Sequence, residues 1–391
     1  MAEQVSRVYG LQFGLLCLSS FLFFASFNMI IPELPAYISS LGGAEYKGLI
    51  VALFTLTAGL SRPFSGQLAD KIGRIPVMVV GGAVCILCGF LYPLTGSVAA
   101  FLLLRFVHGF STGFTPTGTA AYVADIIPTN RRGEATGLLG LSGSLGMAAG
   151  PALGGAIANQ FSLDTMFYAS SGAAFLSVAV IARMHETVSD PHRFRMGLLK
   201  ISRSEIFEPR VLAPSVVMLF CYFAYGVVLT IIPDLSEHLG IKNKGLFFLS
   251  FTISSLAIRF MAGRVSDKYG RVNLLRVSTA LLVLAMLAVG FSATPTQLLL
   301  SGVLFGVASG MNSPTIFAWT IDLSHKDHRG RAMATMYIAL EAGIGLGALA
   351  AGWLYGNNPA NFSIVFLAAA ACAFISFLFL VFIVKAQDHK L

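Results

Sequence analysis

The sequence predicts an all-α integral membrane protein whose twelve transmembrane helices form two pseudo-symmetric six-helix bundles. Two observations lead to this fold class: a composition too apolar for a soluble domain, and a repeat that relates the two halves of the chain. Hydrophobic residues make up 56% of the 391 residues and charged residues only 11%, whereas a soluble domain is about one quarter charged. The apolar runs at 11–31, 101–124 and 364–384 each approach the roughly 20 residues that a helix needs to cross a bilayer. They are too long and too continuously apolar for barrel strands, so we expect helices.

Apolar runs between charged or Gly/Pro breaks give the order of the elements. The predicted spans are 9–35, 47–69, 75–95, 98–126, 133–158, 163–183, 212–234, 245–265, 273–292, 296–321, 331–354 and 361–384. The longest polar stretch separates six spans from six, which predicts three segments: an N-terminal bundle 1–184, a cytoplasmic linker 185–211 and a C-terminal bundle 212–391. Apolar and basic residues from Phe194 to Arg203 suit either a short helix on the membrane surface or a plain tethering loop.

Basic residues set the predicted orientation. With both termini in the cytoplasm, only Lys47, Lys242 and Lys244 of the lysines and arginines outside the spans lie on the opposite side. Cytoplasmic loops carry the positive excess in membrane proteins, so this orientation is favoured. The first apolar run is too long for a signal peptide and is expected to remain as a span in the cell (inner) membrane. The net charge of +8 is scattered over short loops, which does not indicate nucleic-acid binding.

The two halves of the chain repeat each other at a constant spacing. Residues of the same type recur 197 positions apart from the second to the fifth helix of each half. The matched pairs are Arg62 and Arg259, Gly66 and Gly263, Asp70 and Asp267, Gly73 and Gly270, Arg74 and Arg271, Asp125 and Asp322, Gly133 and Gly330, and Gly155 and Gly352. A further match, Ile31–Leu34 with Ile232–Leu235, has a spacing of 201. Parallel duplication of a six-helix unit is typical of a transporter whose halves rock about a central site.

The loop after the second span carries a charged motif that recurs in the second half. Its sequence is GQLADKIGR at 66–74, and its copy is GRVSDKYGR at 263–271. The motif resembles the GxLaDrxGrk loop of the major facilitator superfamily, and the likeness covers nearly the whole chain. Glycines permit close approach and a tight turn, and an arginine can pair with a carboxylate. We therefore expect a conformational latch formed by Gly66, Asp70, Gly73, Arg74 and Asp125, with Asp267, Arg271 and Asp322 as its weaker copy. The alternative is that these charges only fix the topology.

A glycine motif in the fifth span, GMAAGPALGG at 146–155, resembles the GxxxGPxxGG pattern of the superfamily's drug:proton antiporter branch. Its glycines at 146, 150 and 154 share one helical face, and its proline kinks the span. This face suits a contact between the two halves, while ordinary small-residue packing is the alternative. The residues concerned are Gly146, Gly150, Pro151, Gly154 and Gly155.

Candidate proton-coupling residues are few. Arg105 begins an RxxxG sequence in span four that resembles a superfamily element associated with proton transfer. His108 lies one turn further and is either a relay or a hydrogen-bonded core residue. Glu341 is predicted near the middle of span eleven, whereas Glu33 and Asp234 are nearer the outer ends of their spans and are either functional or simply solvated. Many relatives place an acid in the middle of span one or span four, and this chain does not.

The remaining motifs argue against other classes of function. All five cysteines lie in apolar runs, which predicts neither a disulfide framework nor a metal site, and no cofactor is expected. The sequence contains no GxxxxGK[ST] loop for ATP and no HExxH motif of a metal-dependent enzyme. We therefore expect a secondary transporter rather than an enzyme, with a small molecule, protons and the lipid bilayer as partners, acting as a monomer. The leading hypothesis is proton-coupled export of a lipophilic or amphiphilic molecule. The alternative is a dedicated exporter of a sugar, siderophore or amino-acid derivative, or an uptake symporter.

Overall fold

A computed structural model describes residues 10–128, 131–199, 207–324 and 329–384. All the regular secondary structure in these residues is helical, which confirms the predicted fold class. Twelve helices in the described residues have 17 or more residues. They are α1 Leu11–Ile30, α2 Lys47–Lys71, α3 Arg74–Leu91, α4 Val98–Ile126, α5 Arg132–Gln160, α6 Leu163–Ile181, α7 Leu212–His238, α8 Gly245–Tyr269, α9 Arg271–Gly290, α10 Pro295–Leu323, α11 Arg329–Tyr355 and α12 Phe362–Leu378.

Most of these helices satisfy the length and composition of a membrane span. Ten helical segments of the described chain do so individually, and α8 makes an eleventh as one span bent by 48° between Gly245–Arg259 and Met261–Tyr269. The remaining long helix, α10, has 29 residues but carries serine, threonine and asparagine along its middle. The chain is therefore a multi-pass membrane protein.

Local sequence explains where several helices begin. The hydroxyls of Ser97, Ser162 and Thr294 each accept a hydrogen bond from a backbone N–H of the first turn, of α4, α6 and α10 respectively. Such caps satisfy one of the four N–H groups that a helix leaves without an internal partner. After α1, the prolines of Ile31–Glu33 and of the short helix Leu34–Ser40 interrupt regular α-helix hydrogen bonding.

The described residues fall into two compact units. The first contains residues up to Ile31 and from Thr57 to residue 202, and the second contains Pro32–Leu56 and residues from 203 onward. The start of α2 therefore belongs to the second unit and the remainder of α2 to the first. The bundle boundaries predicted at residues 184 and 212 stay a prediction, because a compact unit need not begin and end where a sequence repeat does.

The first unit is built on two helix groups. In it α1 packs against α5 and α6, and α3 packs against α4 and α6. Buried hydroxyls join α1 to α6: Ser19 and Ser177 are 3.0 Å apart, and the Ser26 hydroxyl donates to the Ser170 carbonyl at 2.8 Å. Polar contacts of this kind and small residues hold membrane helices together, because lipid offers no hydrophobic driving force for helix association.

The second unit repeats the same packing. In it α7 packs against α11 and α12, α9 packs against α10 and α12, and α8 packs against α10. Ser278 of α9 donates to the side-chain oxygen of Asn312 in α10 at 2.5 Å. Equivalent helices thus make equivalent contacts in the two units, as the repeat in the sequence predicts.

Residues 185–199 of the predicted linker are attached to the first unit, whereas residues 207–211 belong to the second unit. The backbone N–H of His192 donates to the Lys71 carbonyl at 2.8 Å. A short turn, Met196–Leu199, follows, and its leucines pack against Leu68 and Val77. Leu198 and Leu199 thus face the first unit, whereas Phe194 is exposed, and residues 194–199 contain one short helical turn. The rest of that predicted helix, residues 200–203, lies outside the described residues.

Candidate functional site

The predicted latch residues of the first half come together as a charge network, which we define as Asp70, Arg74 and Asp125. The Arg74 guanidinium donates to Asp70 at 2.5 Å and to Asp125 at 3.0 Å. Gly73, between α2 and α3, has φ +130°, which a side chain rarely adopts. The turn thus requires glycine there. A Cβ added to Gly66 would meet open space, so the close approach expected at this glycine is not what the structure contains.

A carboxylate that the sequence did not single out completes this network. Glu186, just after α6, accepts from the backbone N–H groups of Arg74 at 3.0 Å and Ile75 at 2.9 Å. Its neighbour Thr187 donates to Asp125 at 2.6 Å. A negative charge at the first turn of α3 is favoured by the helix dipole. No local signal marks Glu186, because its partners are more than 100 residues away in the chain.

The second copy of the network is Asp267, Arg271 and Asp322, and the structure also brings these together. Arg271 pairs with Asp267 and donates to Asp322 at 3.0 Å. It also donates to the Ser266 hydroxyl at 2.9 Å. Gly270 again has a positive φ, +89°. In both copies the arginine thus lies between two aspartates, and the role of these residues as a latch stays a prediction.

The glycine face of α5 lies against α1 of the same unit. A Cβ added to Gly150 would lie 2.5 Å from the Ala25 carbonyl oxygen, and Cβ atoms on Gly146 and Gly154 would lie closer still to the carbonyls of Phe21 and Met29. The expectation that this face contacts the other half is therefore corrected: α1 occupies it. Pro151 lies inside the continuous helix α5, and Gly155 is buried beside it.

Arg105 lies in a buried polar cluster of the first unit. Its side chain donates to the Tyr92 hydroxyl at 3.2 Å, and that hydroxyl is 3.1 Å from Nδ1 of His108. Nε2 of His108 is 3.3 Å from the Cys85 sulfur, which is 3.3 Å from the Ser26 hydroxyl. The chain of contacts runs from α4 through α3 to α1. Sequence reasoning placed Arg105 and His108 together but missed the hydroxyl and thiol between which they lie.

Glu341 lies in the second unit at the middle of α11. It is the thirteenth of 27 residues in the helix and is only 8% exposed. Glu341 thus lies midway along the helix, and its depth in the membrane stays a prediction. The side chain of Tyr222, in α7, lies near Glu341 in the fold.

Aromatic side chains form a cluster in the same unit. The ring of Tyr225 lies 6.0 Å from Phe251 and 6.2 Å from Phe305, with the last two 5.2 Å apart. Tyr222 continues the cluster at 5.8 Å from Tyr225. Rings at these separations attract one another beyond their simple burial.

Glu33 and Asp234 are buried in ion pairs rather than solvated. Lys244 contacts Glu33 at 3.5 Å and Glu237 at 2.8 Å, and Lys47 pairs with Asp234. We name these five residues the outer charge cluster, after the side on which the sequence predicts them. Burial opposes the charge on Lys244, but the carboxylates of Glu33, Glu237 and Asp234 outweigh burial and raise the pKa of Lys244. Lys244 is therefore a cation at neutral pH.

Comparison with known sequences assigns the chain to a family. The sequence model of the Major Facilitator Superfamily matches residues 16–257 and, separately, residues 215–391. The chain is 28% identical over 373 residues to the multi-drug resistance efflux pump PmrA of Streptococcus pneumoniae, covering 92% of each chain. It is 27% identical over 313 residues to the multidrug resistance protein MdtG of Salmonella arizonae, covering 76% of this chain and 77% of that one.

Solved structures share the fold. A D-xylose-proton symporter superposes with a TM-score of 0.82 at 16% identity, covering 98% of this chain and 99% of the symporter. The human organic anion transporter MFSD10 superposes with a TM-score of 0.72 at 19% identity, covering 94% of this chain and 98% of that one. With the two charged loops, the repeated packing and the family match together, the chain is a membrane transporter that belongs to the Major Facilitator Superfamily.

Proposed function

We propose that the protein exports a small lipophilic or amphiphilic molecule by alternating access and uses proton entry to drive it. The observation that carries this proposal is similarity along nearly the whole chain to an efflux pump named for multidrug resistance. The glycine motif of α5, which resembles that of drug:proton antiporters, supports the same direction of transport. The aromatic cluster around Tyr225 and Phe251 supports a lipophilic substrate, because such rings line sites for apolar ligands.

We also propose a cellular location and an oligomeric state for the protein. The protein resides in the cell (inner) membrane with both termini in the cytoplasm, and it works as a monomer. The charge distribution supports this orientation, since only Lys47, Lys242 and Lys244 lie in the loops assigned to the outside. A cysteine introduced at exposed Asp190 would react with an impermeant reagent from outside intact cells only if this orientation were wrong.

Glu341 is the proposed proton carrier. Its place at the middle of α11 and its burial support this role, because a coupling carboxylate must be reached from both sides in turn. Arg105 and His108 form the proposed charged and titratable partners in the first unit. Glu33 is the alternative carrier, and its burial beside Lys244 strengthens that alternative, since a hydrated carboxylate would load protons less selectively.

The two charge networks are the proposed conformational latch. Paired arginines and carboxylates that form in one state and break in the other bias a two-state equilibrium, and removing one partner shifts the balance by about 1 to 3 kcal/mol. Asp70→Asn is expected to slow transport while the protein stays folded. Full transport activity in Asp70→Asn would contradict the latch.

The experiment that tests the proposal is a transport assay in proteoliposomes with a pH-sensitive dye inside. Lipophilic cations, sugars and siderophores are offered in turn, and proton movement opposite to the substrate supports export. Movement of both in the same direction would identify a symporter, and a response to one sugar, siderophore or amino-acid derivative alone would identify a dedicated exporter.

Variants identify the carrier in the same assay. Glu341→Gln mimics a permanently protonated side chain, so it should keep substrate exchange but lose proton-driven accumulation. Glu45→Gln, an exposed acid in the predicted outer loop, is the matched control and should behave as the native protein. Uphill export by Glu341→Gln together with its loss in Glu33→Gln would move the assignment to Glu33.

A further inference from the structure

Four charged residues occupy equivalent places in the two sequence repeats. Glu33 follows α1 and Asp234 lies near the end of α7, while Lys47 begins α2 and Lys244 immediately precedes α8. The lysines are 197 positions apart, the spacing of the repeat, and the acids are 201 apart. Each repeat therefore supplies one acid and one lysine at its predicted outer side.

The pairing of these residues is crosswise. Lys47 of the first repeat pairs with Asp234 of the second, and Lys244 of the second repeat pairs with Glu33 of the first. All four side chains are 9 to 11% exposed. Two ion pairs related by the repeat therefore connect residues 32–56 to the second repeat, within one compact unit.

The backbones of α2 and α11 approach each other closely beside one of these ion pairs. A Cβ added to Gly48 would lie 2.6 Å from the Ala348 carbonyl oxygen, and one added to Gly352 would lie 2.7 Å from the Gly48 nitrogen. The Lys47 ammonium also lies 5.5 Å from the centre of the Tyr355 ring. The start of α2 is thus in backbone contact with α11 directly beside Lys47.

Burial makes it costly to separate either ion pair. Removing one partner of a buried ion pair leaves an uncompensated charge in a poorly hydrated site, which is far more costly than the pair itself. Residues 32–56 can therefore leave α7 and α11 only when the charges are hydrated. Glu237, 66% exposed and 2.8 Å from Lys244, offers that lysine a solvated partner once Glu33 moves away.

We propose that the Lys47–Asp234 and Lys244–Glu33 pairs form a reciprocal outer lock that holds residues 32–56 against the second repeat and opens in the transport cycle. The lock uses two of the three lysines that the sequence assigns to the outer side. The inference rests on the proposed alternating-access function, but it concerns a movement that occurs without substrate. Its failure is therefore distinguishable from a failure of proton-coupled export.

Hydrogen–deuterium exchange of the full-length protein in lipid nanodiscs tests the lock. In Asp234→Asn, peptides covering 34–56 should exchange at least about tenfold faster than in the native protein, because Lys47 is left buried without its charge partner. In Glu33→Gln the increase should be smaller, because Lys244 keeps Glu237 at 2.8 Å. Peptides from α4 should be unchanged. The matched control is Lys242→Gln, which removes the third outer lysine, an exposed side chain, and should leave exchange of 34–56 as it is.

A charge swap separates the lock from general destabilisation. Lys47→Asp combined with Asp234→Lys restores an ion pair at the same place and should return exchange of 34–56 to within about twofold of the native rate. This variant also keeps the test decisive where a single neutralised variant does not fold. Native exchange rates in both single variants, or fast exchange that the swap does not slow, would overturn the proposal.

Discussion

The two units fasten their last helix to their third helix by opposite charges. In the first unit, the carboxylate of Glu186 after α6 accepts from N–H groups at the start of α3. In the second unit, Arg276 of α9 donates to the carbonyls of Leu380 at 2.9 Å and Val384 at 3.3 Å, at the end of the chain's last helical segment. An anion suits a helix start and a cation suits a helix end. The two units thus attach the last helix to the third helix through unrelated residues.

The difference shows which parts of a duplicated unit are constrained. The glycine contacts between α1 and α5 recur between α7 and α11, and the arginine–aspartate networks recur at the same spacing. The attachment of the last helix, by contrast, depends on Glu186 after α6 in the first unit and on Arg276 within α9 in the second. Contacts that define helix packing are therefore retained in both copies, while the attachment of the last helix diverged.

The largest expected effect concerns the shared packing. Gly150→Val in α5 and Gly347→Val in α11 each place a side chain against a backbone carbonyl, of Ala25 and Phe223 respectively. Each should destabilise the protein by about 3 kcal/mol, since a tightly packed interface cannot absorb the added atoms. Thermal unfolding in detergent measures this. A loss in one variant but not the other would break the equivalence of the two helix pairs.

A smaller contrast is expected at the two turn glycines. Gly73→Ala and Gly270→Ala both force a side chain into a backbone region that suits glycine, at about 2 kcal/mol. A Cβ on Gly73 would in addition lie 2.5 Å from a Glu186 carboxylate oxygen, whereas the nearest atom at Gly270 is Asn273 Nδ2 at 3.9 Å. Gly73→Ala should therefore lower the unfolding temperature further. Equal losses would mean that Glu186 moves aside freely.

Arg276→Met removes the attachment in the second unit. Its hydrogen bonds to the carbonyls of Leu380 and Val384 are charge-assisted, so their loss should cost about 2 kcal/mol. Limited proteolysis at the C-terminal end of α12 reports the release of that helix. Arg264→Met changes a basic residue of α8 with an exposed side chain; it serves as the control and should leave the cleavage rate unchanged.

Most of the fold could be predicted from the sequence, because a bilayer permits few backbone structures. Backbone groups in lipid must be satisfied within the helix, so long apolar runs could only be helices, and the spacing of 197 located both charge networks. The contact partners of individual side chains could not be predicted in this way. Helical phase identified the glycine face of α5 but not that α1 occupies it. The position of Glu33 near a span end left open whether it is solvated, and in the structure it is buried beside Lys244.

The smallest expected effect comes from Glu186→Gln. The N–H groups of Arg74 and Ile75 donate to different oxygens of the Glu186 carboxylate, and glutamine keeps only one of these oxygens, so the substitution removes the negative charge and one of the two hydrogen bonds. The cost should be about 1 kcal/mol, the scale of a charge at a helix terminus together with one exposed hydrogen bond. Because the charge also lies beside Arg74, hydrogen exchange at the start of α3 should rise two- to fivefold.

The control for this prediction is Asp190→Asn, which removes an exposed acid from the same linker and should change neither quantity. Salt supplies a second check: an interaction between charges weakens with ionic strength when it is partly exposed. The difference between Glu186→Gln and the native protein should therefore shrink in high salt, while the effect of Gly150→Val should persist. A difference between Glu186→Gln and the native protein that does not depend on salt would mean that Glu186 holds α3 through its hydrogen bonds and not through its charge. The opposite charges of Glu186 and Arg276 would then not explain how the two units differ.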